Sequence, residues 1–169
     1  NSPQSPVFDK GGTFYGLDKA RQGIKSKNQA IIVEGYVDVV IPHQYGYDNV
    51  VASMGTSLTQ KQADLLKDLA SNVLLCLDGD VAGQEATLRS LESTWRIFDL
   101  TLLKLSGTRD SFYQRTAQPT LKVVLLPQGK DPDEVVREDR QLWQSLIDTA
   151  TGVIDFIFQT VASRQDLTT

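Results

Sequence analysis

The chain has 169 residues, 40% of them hydrophobic and 22% charged, which is typical of a globular protein that buries its own core. Its net charge of −4 argues against a free-standing nucleic-acid-binding protein, because such proteins usually carry a basic surface. A single cysteine excludes an internal disulfide and a cysteine-based zinc site. No apolar run approaches the roughly 20 residues of a membrane span and no signal peptide is recognisable, so we expect an intracellular protein.

Short apolar runs alternate with amphipathic stretches along the chain. The apolar runs predict strands at 30–33, 49–52, 73–77 and 121–126. Helices are predicted near 17–21 and at 36–45, 59–69, 82–98, 133–139, 142–148 and 153–161. Alternating strands and helices imply crossover connections, so we predict an α/β fold: a mostly parallel, Rossmann-like sheet flanked by helices and followed by a C-terminal helical segment.

Local signals refine several of these elements. Pro42 lies too deep in its predicted helix for the first turn, so we expect that helix to be kinked, short or restarted, with Gly46 at its end. Thr59 is predicted to cap the next helix. Residues 99–105 are predicted to continue as a strand or a helix tail, and 106–119 to form a surface loop.

The C-terminal helices are predicted to pack through apolar faces. Trp95 and Trp143 are interpreted as packing residues, Cys76 as a buried strand residue, and His43 as structural or exposed. The side chains expected on the apolar faces are Val135, Leu142, Trp143, Leu146, Ile154, Ile157 and Phe158.

Carboxylates come at the end of three of the four predicted strands or within a short turn after it. Glu34 follows the first strand, Asp78 and Asp80 follow the third, and Asp131 and Asp133 follow the fourth. In a parallel sheet these ends lie along one edge, which is where open α/β sheets bind ligands. Two carboxylates held about 4 Å apart would repel by roughly 4 kcal/mol at an effective dielectric of 20, and a hard cation such as Mg²⁺ removes that repulsion. The sequence therefore points to a metal site, with a solvated Asp-Gly turn as the alternative.

Each of the other acids also has a purely structural interpretation. Glu34 can stabilise the N-terminus of the following helix through the helix dipole. Asp38, one helical turn after Glu34, either supports the metal site from the same side or is a solvated helix residue. Asp131 and Asp133 can form a turn and a helix cap around Pro132. These alternatives remain open at the level of the residues.

Four motifs in a fixed order carry a family resemblance. Together with the segment that precedes them, they resemble the Toprim domain of bacterial DnaG-type DNA primases, well over about residues 1–98 and moderately over 121–139. The motifs are EGYVD at 34–38, ASMGTS at 52–57, DGDVAG at 78–83 and GKDPDE at 129–134.

The resemblance implies a division of the chain into three parts. Residues 1–28 are expected to be a lead-in segment from the preceding primase core subdomain, and 29–127 the Toprim domain. Residues 128–169 are expected to form an acidic loop and a C-terminal helical subdomain. The chain begins without methionine in a stretch of loop composition, and we expect it to be a fragment of a longer protein.

The resemblance also implies an activity and its metal ions. DnaG-type primases are nucleotidyltransferases, DNA-directed RNA polymerases that use Mg²⁺ or Mn²⁺, and two ions are expected. By position in the motifs, Glu34 and Asp78 hold the first ion, and Asp78 and Asp80 the second. Asp38 is an additional catalytic or supporting acid in this scheme. The auxiliary acids Asp131 and Asp133 add negative potential that helps to retain a metal-bound triphosphate.

Five further residues are candidates for nucleotide binding. Lys10 matches a lysine that the family places near the nucleotide, although it is also interpretable as a solvated lysine. Gly35 and Gly79 suit a close approach of backbone to ligand, or a positive φ angle. Gly55 and Thr56 lie beside the expected site but do not form a Walker loop, because the lysine of that loop is missing after Gly55.

The expected partners are a single-stranded DNA template, ribonucleoside triphosphates and the RNA primer, in the bacterial cytoplasm at replication forks, with no membrane. Zinc binding, the basic template-gripping surface and contact with the replicative helicase belong to family domains that this sequence does not contain. One alternative is another Toprim enzyme, a topoisomerase or a nuclease of the overcoming-lysogenisation-defect type. A less favoured one is a non-catalytic receiver or binding module with an acidic pocket.

Overall fold

Strands and helices alternate through most of the computed structural model, which describes residues 9–53, 58–77, 85–105 and 119–166, without the side chains of 99–105 and 164–166. The strands are β1 Gln29–Val33, β2 Val50–Ala52, β3 Asn72–Leu77, β4 Thr120–Leu125 and β5 Thr151–Gly152. A 3₁₀ turn, Lys10–Gly12, precedes the α-helices. These are α1 Leu17–Lys27, α2 Val37–Gln44, α3 Gln60–Lys67, α4 Glu85–Leu105, α5 Pro132–Glu138, α6 Arg140–Asp148 and α7 Val153–Asp166.

The strands form one sheet in the order β2-β1-β3-β4-β5. β1 pairs in parallel with β2 and β3, and β3 pairs in parallel with β4. β5 pairs antiparallel to β4 through Lys122 opposite Gly152 and Val123 opposite Thr151. The predicted α/β fold with a mostly parallel sheet is confirmed. The sequence did not predict β5, because a strand of two residues is too short to show a period.

Alternate residues of each strand face opposite sides of the sheet, as the pleat requires. In β1, Ala30 and Ile32 enter one apolar core, whereas Ile31 and Val33 enter another. Helices α1, α3, α4 and α7 cover the first face, and α2, α5 and α6 cover the second. The helices on the two faces make a three-layer α/β/α arrangement.

Several local predictions are settled by the helix boundaries. α2 runs without interruption across the buried Pro42, so the helix is short rather than restarted, and Gly46 with φ of 91° follows its end. Thr59 caps α3 as predicted. Residues 99–105 continue α4 as its last turns. The loop predicted at 106–119 lies outside the described residues except for Pro119.

The expected apolar faces of the last helices need correction. Trp143 is fully buried and makes an edge-on contact with Tyr47, as a packing residue should. Leu142, Ile154 and Phe158 are instead exposed, Phe158 by 75%. α7 packs on the sheet and α4 through Val153 and Phe156, which turns its other side towards solvent. Helical periodicity alone does not say which side of such a helix is buried. The prediction for these three side chains was wrong.

Candidate active site

Glu34 lies at the point where the winding of the sheet reverses. β1 has β2 on one side and β3 on the other, and the helices that follow β1 and β3 pack on opposite faces. Such a switch point leaves a crevice beyond the carboxyl ends of the strands. Glu34 is the first residue after β1, and it is exposed there. It precedes the N-cap residue of α2, Tyr36, so it is not an acid of the first helical turn.

The register of the sheet brings the ends of β1 and β3 side by side. Ile32 pairs with Leu75, and the same parallel register two residues further on sets Glu34 level with Leu77, the last residue of β3. The predicted site residues that lie outside the described part of the chain are Gly55, Thr56, Asp78, Gly79 and Asp80. Their roles remain predictions.

Asp38 connects the turn after β1 to the start of α5. One carboxylate oxygen, Oδ2, accepts a hydrogen bond from the backbone N–H of Gly35 at 3.1 Å. The other, Oδ1, accepts one from the backbone N–H of Asp133 at 3.4 Å. The half-buried Asp38 therefore ties the Glu34 turn to a helix that is distant in sequence, and it is not simply a solvated helix residue.

The acids at the start of α5 are partly used by the fold itself. Asp131 is the N-cap residue, and its backbone N–H donates to the Glu134 carboxylate at 3.3 Å, with Pro132 in the first turn. Asp133 is only 8% exposed and forms an ion pair with Arg137 one turn later. These contacts match the helix-cap interpretation, and a role in holding triphosphate remains a prediction for both acids.

Two cavities are lined by Glu34. The first, of about 280 Å³, also has Asp38 and Asp131 in its walls. The second, of about 320 Å³, lies between the sheet and α4, where Ser53 and Thr94 contribute hydroxyl groups. The structure thus brings Glu34 and Asp38 of the first motif together with Asp131 of the fourth motif around one opening.

Burial shapes the protonation of two groups beside Glu34. It raises the pKa of Asp38 above its ordinary value, and the negative charges of Asp131 and Asp133 act in the same direction, whereas the two backbone N–H donors oppose the shift. Burial, with a smaller effect from Asp38, also raises the pKa of the Cys76 thiol well above its usual range. Cys76 therefore stays a neutral thiol, and it is the buried strand residue that the sequence predicted.

The remaining described candidates differ in what surrounds them. The φ angle of Gly35 is not among the positive ones of the described residues, so that reason for a glycine does not apply here. A Cβ at Gly35 would lie 2.6 Å from Asp38 Oδ2, which means that the missing side chain makes room for the Asp38 carboxylate. Lys10 sits in the 3₁₀ turn, half-buried, and is not among the residues lining either Glu34 cavity.

The sequence of the chain is similar to that of a known protein family. The Toprim domain family matches residues 28–104. The DNA primase of Clostridium acetobutylicum is 42% identical over 92% of this chain and 23% of its own length. The DNA primase of Escherichia coli K12 is 35% identical over 100% of this chain and 26% of its own length.

Solved structures give the same result at the level of the fold. A DnaG primase catalytic domain bound to single-stranded DNA superposes with a TM-score of 0.73 at 32% identity, over 100% of this chain and 49% of that one. A primase domain from Pseudomonas aeruginosa has a TM-score of 0.74 at 33% identity, over 96% of this chain and 46% of that one. The chain belongs to the family of bacterial DnaG-type primases. It spans about a quarter of the length of these curated relatives.

Membership of the DnaG-type primase family implies a dependence on divalent metal ions. The described residues offer some of the ligand atoms that such ions need. Glu34, Asp38 and Asp131 offer carboxylate oxygens around one cavity, the ligand type that Mg²⁺ prefers. No group of three or more His, Cys, Asp or Glu side chains within the described ranges is arranged to hold a metal ion. The fit of the described residues to a divalent ion is therefore partial.

Two features of this primase-family fold were missed by sequence reasoning. The first is the partner of Asp133, although the spacing of Asp133 and Arg137 by four residues is a known signal for a helical ion pair. The second is the capping box of Thr59 and Gln62, which the order Thr-x-x-Gln indicates. In the part of the chain that the structure describes, no helix is both long and apolar enough to cross a membrane.

Proposed function

We propose that this chain forms the metal-binding catalytic part of a DNA primase, a nucleotidyltransferase that joins ribonucleotides into short RNA primers. The observation that carries the proposal is the exposed Glu34 at the switch point, beside the end of a strand after which the sequence continues with Asp78-Gly79-Asp80. Family membership supports the same activity.

The proposed metal ligands are Glu34, Asp78 and Asp80, which would hold two Mg²⁺ or Mn²⁺ ions. When bound, such ions neutralise the charge that develops on the transferring phosphoryl group, which is most of what this chemistry asks of the protein. Asp38 would hold the turn that carries Glu34 through its hydrogen bond to the Gly35 N–H.

The other acids and the nucleotide residues act around these ions in the proposal. Asp131 and Asp133 would add negative potential at the rim of the crevice. The residues proposed to contact the nucleotide are Lys10, Gly35, Gly55, Thr56 and Gly79.

The proposed partners are single-stranded DNA, ribonucleoside triphosphates and the growing RNA. Support for the template comes from the similar DnaG catalytic domain that was solved with single-stranded DNA. We assign zinc binding and contact with the replicative helicase to parts of primases outside this chain, and the site of action to the replication forks of the bacterial cytoplasm. The isolated chain is expected to bind Mn²⁺ weakly and to make little or no primer.

A chimera tests this function directly. The chain replaces the matching region of the Escherichia coli primase, which it aligns with over 100% of its own length. Primer synthesis by the chimera should fall to background with Glu34→Gln or Asp78→Ala and persist with Glu92→Gln. Glu92 is the matched control, because it is an exposed glutamate paired with Arg96 within α4. Full synthesis by Glu34→Gln would refute the proposal, and DNA cleavage without synthesis would favour a topoisomerase or nuclease.

A further inference from the structure

The 3₁₀ turn that carries Lys10 is held by side chains of α3, far away in sequence. The Thr59 hydroxyl donates a hydrogen bond to the Gly11 carbonyl at 2.5 Å. The Gln62 side-chain N–H₂ donates one to the Thr13 carbonyl at 2.7 Å. The middle residue of this turn and the residue after the turn are therefore both fixed by the first turn of one helix.

The same two side chains also form the capping box of α3. The Gln62 backbone N–H donates to Thr59 Oγ1 at 3.2 Å, and the Thr59 backbone N–H donates to Gln62 Oε1 at 3.1 Å. An ordinary capping box needs only these two bonds. The additional bonds to the Gly11 and Thr13 carbonyls do not stabilise the helix end. They join α3 to the lead-in segment.

Burial makes these contacts hard to replace. Gln62 has no exposed surface, so water cannot take over a lost partner, and a buried amide without one is costly. The two segments also touch closely, since a Cβ at Gly11 would lie 3.3 Å from Thr59 Cγ2. An exposed ion pair of 3.0 Å between Lys61 and Asp9 adds a contact on the other side of Lys10.

The sheet puts this clamp at the same edge as Glu34. α3 follows β2, whose last residue, Ala52, pairs with Val33 at the end of β1. The next residue, Ser53, donates its backbone N–H to the Val33 carbonyl at 3.0 Å and lines a cavity together with Glu34. The start of α3 therefore faces the edge at which a metal-bound nucleotide would lie.

We propose that Thr59 and Gln62 are positioning residues, which hold the Lys10 turn at this edge so that Lys10 can bind the phosphates of the incoming nucleotide. The proposal rests on the proposed primase function and adds to it a reason why a lysine from the lead-in segment reaches the site. Neither residue touches substrate in this scheme, since both act through the Gly11 and Thr13 carbonyls.

The test is the affinity of the chain for ATP in the presence of Mn²⁺, measured by competition with a fluorescent ATP analogue. Lys10→Ala, Thr59→Val and Gln62→Met should each weaken ATP binding, by roughly five-fold. Thr59→Ser keeps the hydroxyl and should restore wild-type affinity. Leu66→Val is the control, because Leu66 is a fully buried residue of the same helix whose side chain packs in the apolar core. Binding of Mn²⁺ alone should be unchanged in all five variants.

A double-mutant cycle separates positioning from a general loss of structure. Lys10→Ala combined with Gln62→Met should bind ATP no more weakly than Lys10→Ala alone, because both changes remove the same contact. Additive losses, an unchanged affinity in Gln62→Met, equal losses in Leu66→Val, or no ATP binding by the unsubstituted chain would each overturn the positioning proposal. Failure of the proposed function is a different result: Mn²⁺ binding that does not depend on Glu34.

Discussion

The two edges of the sheet use polar side chains in opposite ways. At the amino-terminal edge, the buried Asn49 donates its side-chain N–H₂ to the Gln29 carbonyl at 3.1 Å and to the Gln29 side chain at 3.2 Å. Asn28 accepts a bond of 2.7 Å from the Ser71 N–H, and its carbonyl accepts one of 3.1 Å from the Asn72 side chain. Amides therefore join β1, β2 and β3 where these strands begin.

The carboxyl-terminal edge carries the acids Glu34, Asp38 and Asp131, and within the described residues the carboxylate of Glu34 is unpaired. Among the described residues, the exposed Glu34 carboxylate makes no hydrogen bond or ion pair, and it lines two cavities. Asp38 and Asp133, by contrast, are held by backbone N–H groups and by Arg137. The comparison teaches that polar side chains stabilise the fold at one edge, whereas the other edge exposes a carboxylate that the fold does not use.

The largest expected effect is on Glu34. Glu34→Gln removes a charge that contributes little to folding, so we expect primer synthesis by the chimera to fall by about 100-fold or more, while the free energy of unfolding changes by less than about 0.5 kcal/mol. Enzyme assays and urea unfolding of the same variant measure the two quantities. A large loss of stability would show that Glu34 belongs to the fold and would break the contrast between the edges.

Asn49 provides the opposite case at the other edge. Asn49→Ala leaves the Gln29 carbonyl without its partner and removes a buried amide, so we expect a loss of about 2 kcal/mol in the free energy of unfolding. The affinity of the folded protein for Mn²⁺ should not change. Urea titration and Mn²⁺ titration test this prediction, and a variant with normal stability but weak Mn²⁺ binding would contradict it.

Asp38 should combine both kinds of effect, because it links the Glu34 turn to α5. Asp38→Ala removes two hydrogen bonds, and we expect a stability loss of about 1–2 kcal/mol together with weaker Mn²⁺ binding. Gly35→Ala offers a second route to the same change, since its Cβ would displace the Asp38 carboxylate. If either variant bound Mn²⁺ normally, Asp38 would be a purely structural residue.

The smallest effect is expected for the ion pair of Lys27 and Asp48 at the amino-terminal edge. Its atoms are 2.6 Å apart, but the side chains are 40% and 56% exposed, so water and salt screen the attraction. Lys27→Met should change the free energy of unfolding by less than about 1 kcal/mol, and the difference should shrink in 1 M salt. A difference that persists in salt would point to lost packing by the Lys27 side chain instead of lost charge.

Most of the sheet could be predicted from the sequence, because its strands are continuous apolar runs that end at turn or acid residues. The position of Glu34 at this edge could also be predicted. The carboxyl ends of parallel strands lie along one edge of the sheet, and open α/β sheets bind their ligands there. The cap of α3 by Thr59 was also predictable, because threonine is one of the residues preferred directly before a helix.

Hydrogen bonds between segments that are far apart in the chain could not be predicted from the sequence. Nothing near Gln62 indicates that its side chain meets the carbonyl of Thr13, 49 residues away. Likewise, the bond between Asp38 and the Asp133 N–H spans 95 residues and depends on how α2 packs on α5. The exposed side of α7 was misjudged because packing on β4, and not the helix period alone, decides which residues are buried.

The central claim is that the carboxyl-terminal edge holds a divalent ion at Glu34. The most direct measurement is the anomalous diffraction of crystals soaked in Mn²⁺. We predict anomalous peaks between Glu34, Asp78 and Asp80, which disappear in the Glu34→Gln variant. Peaks only at Asp131 and Asp133, or none near Glu34, would contradict the account.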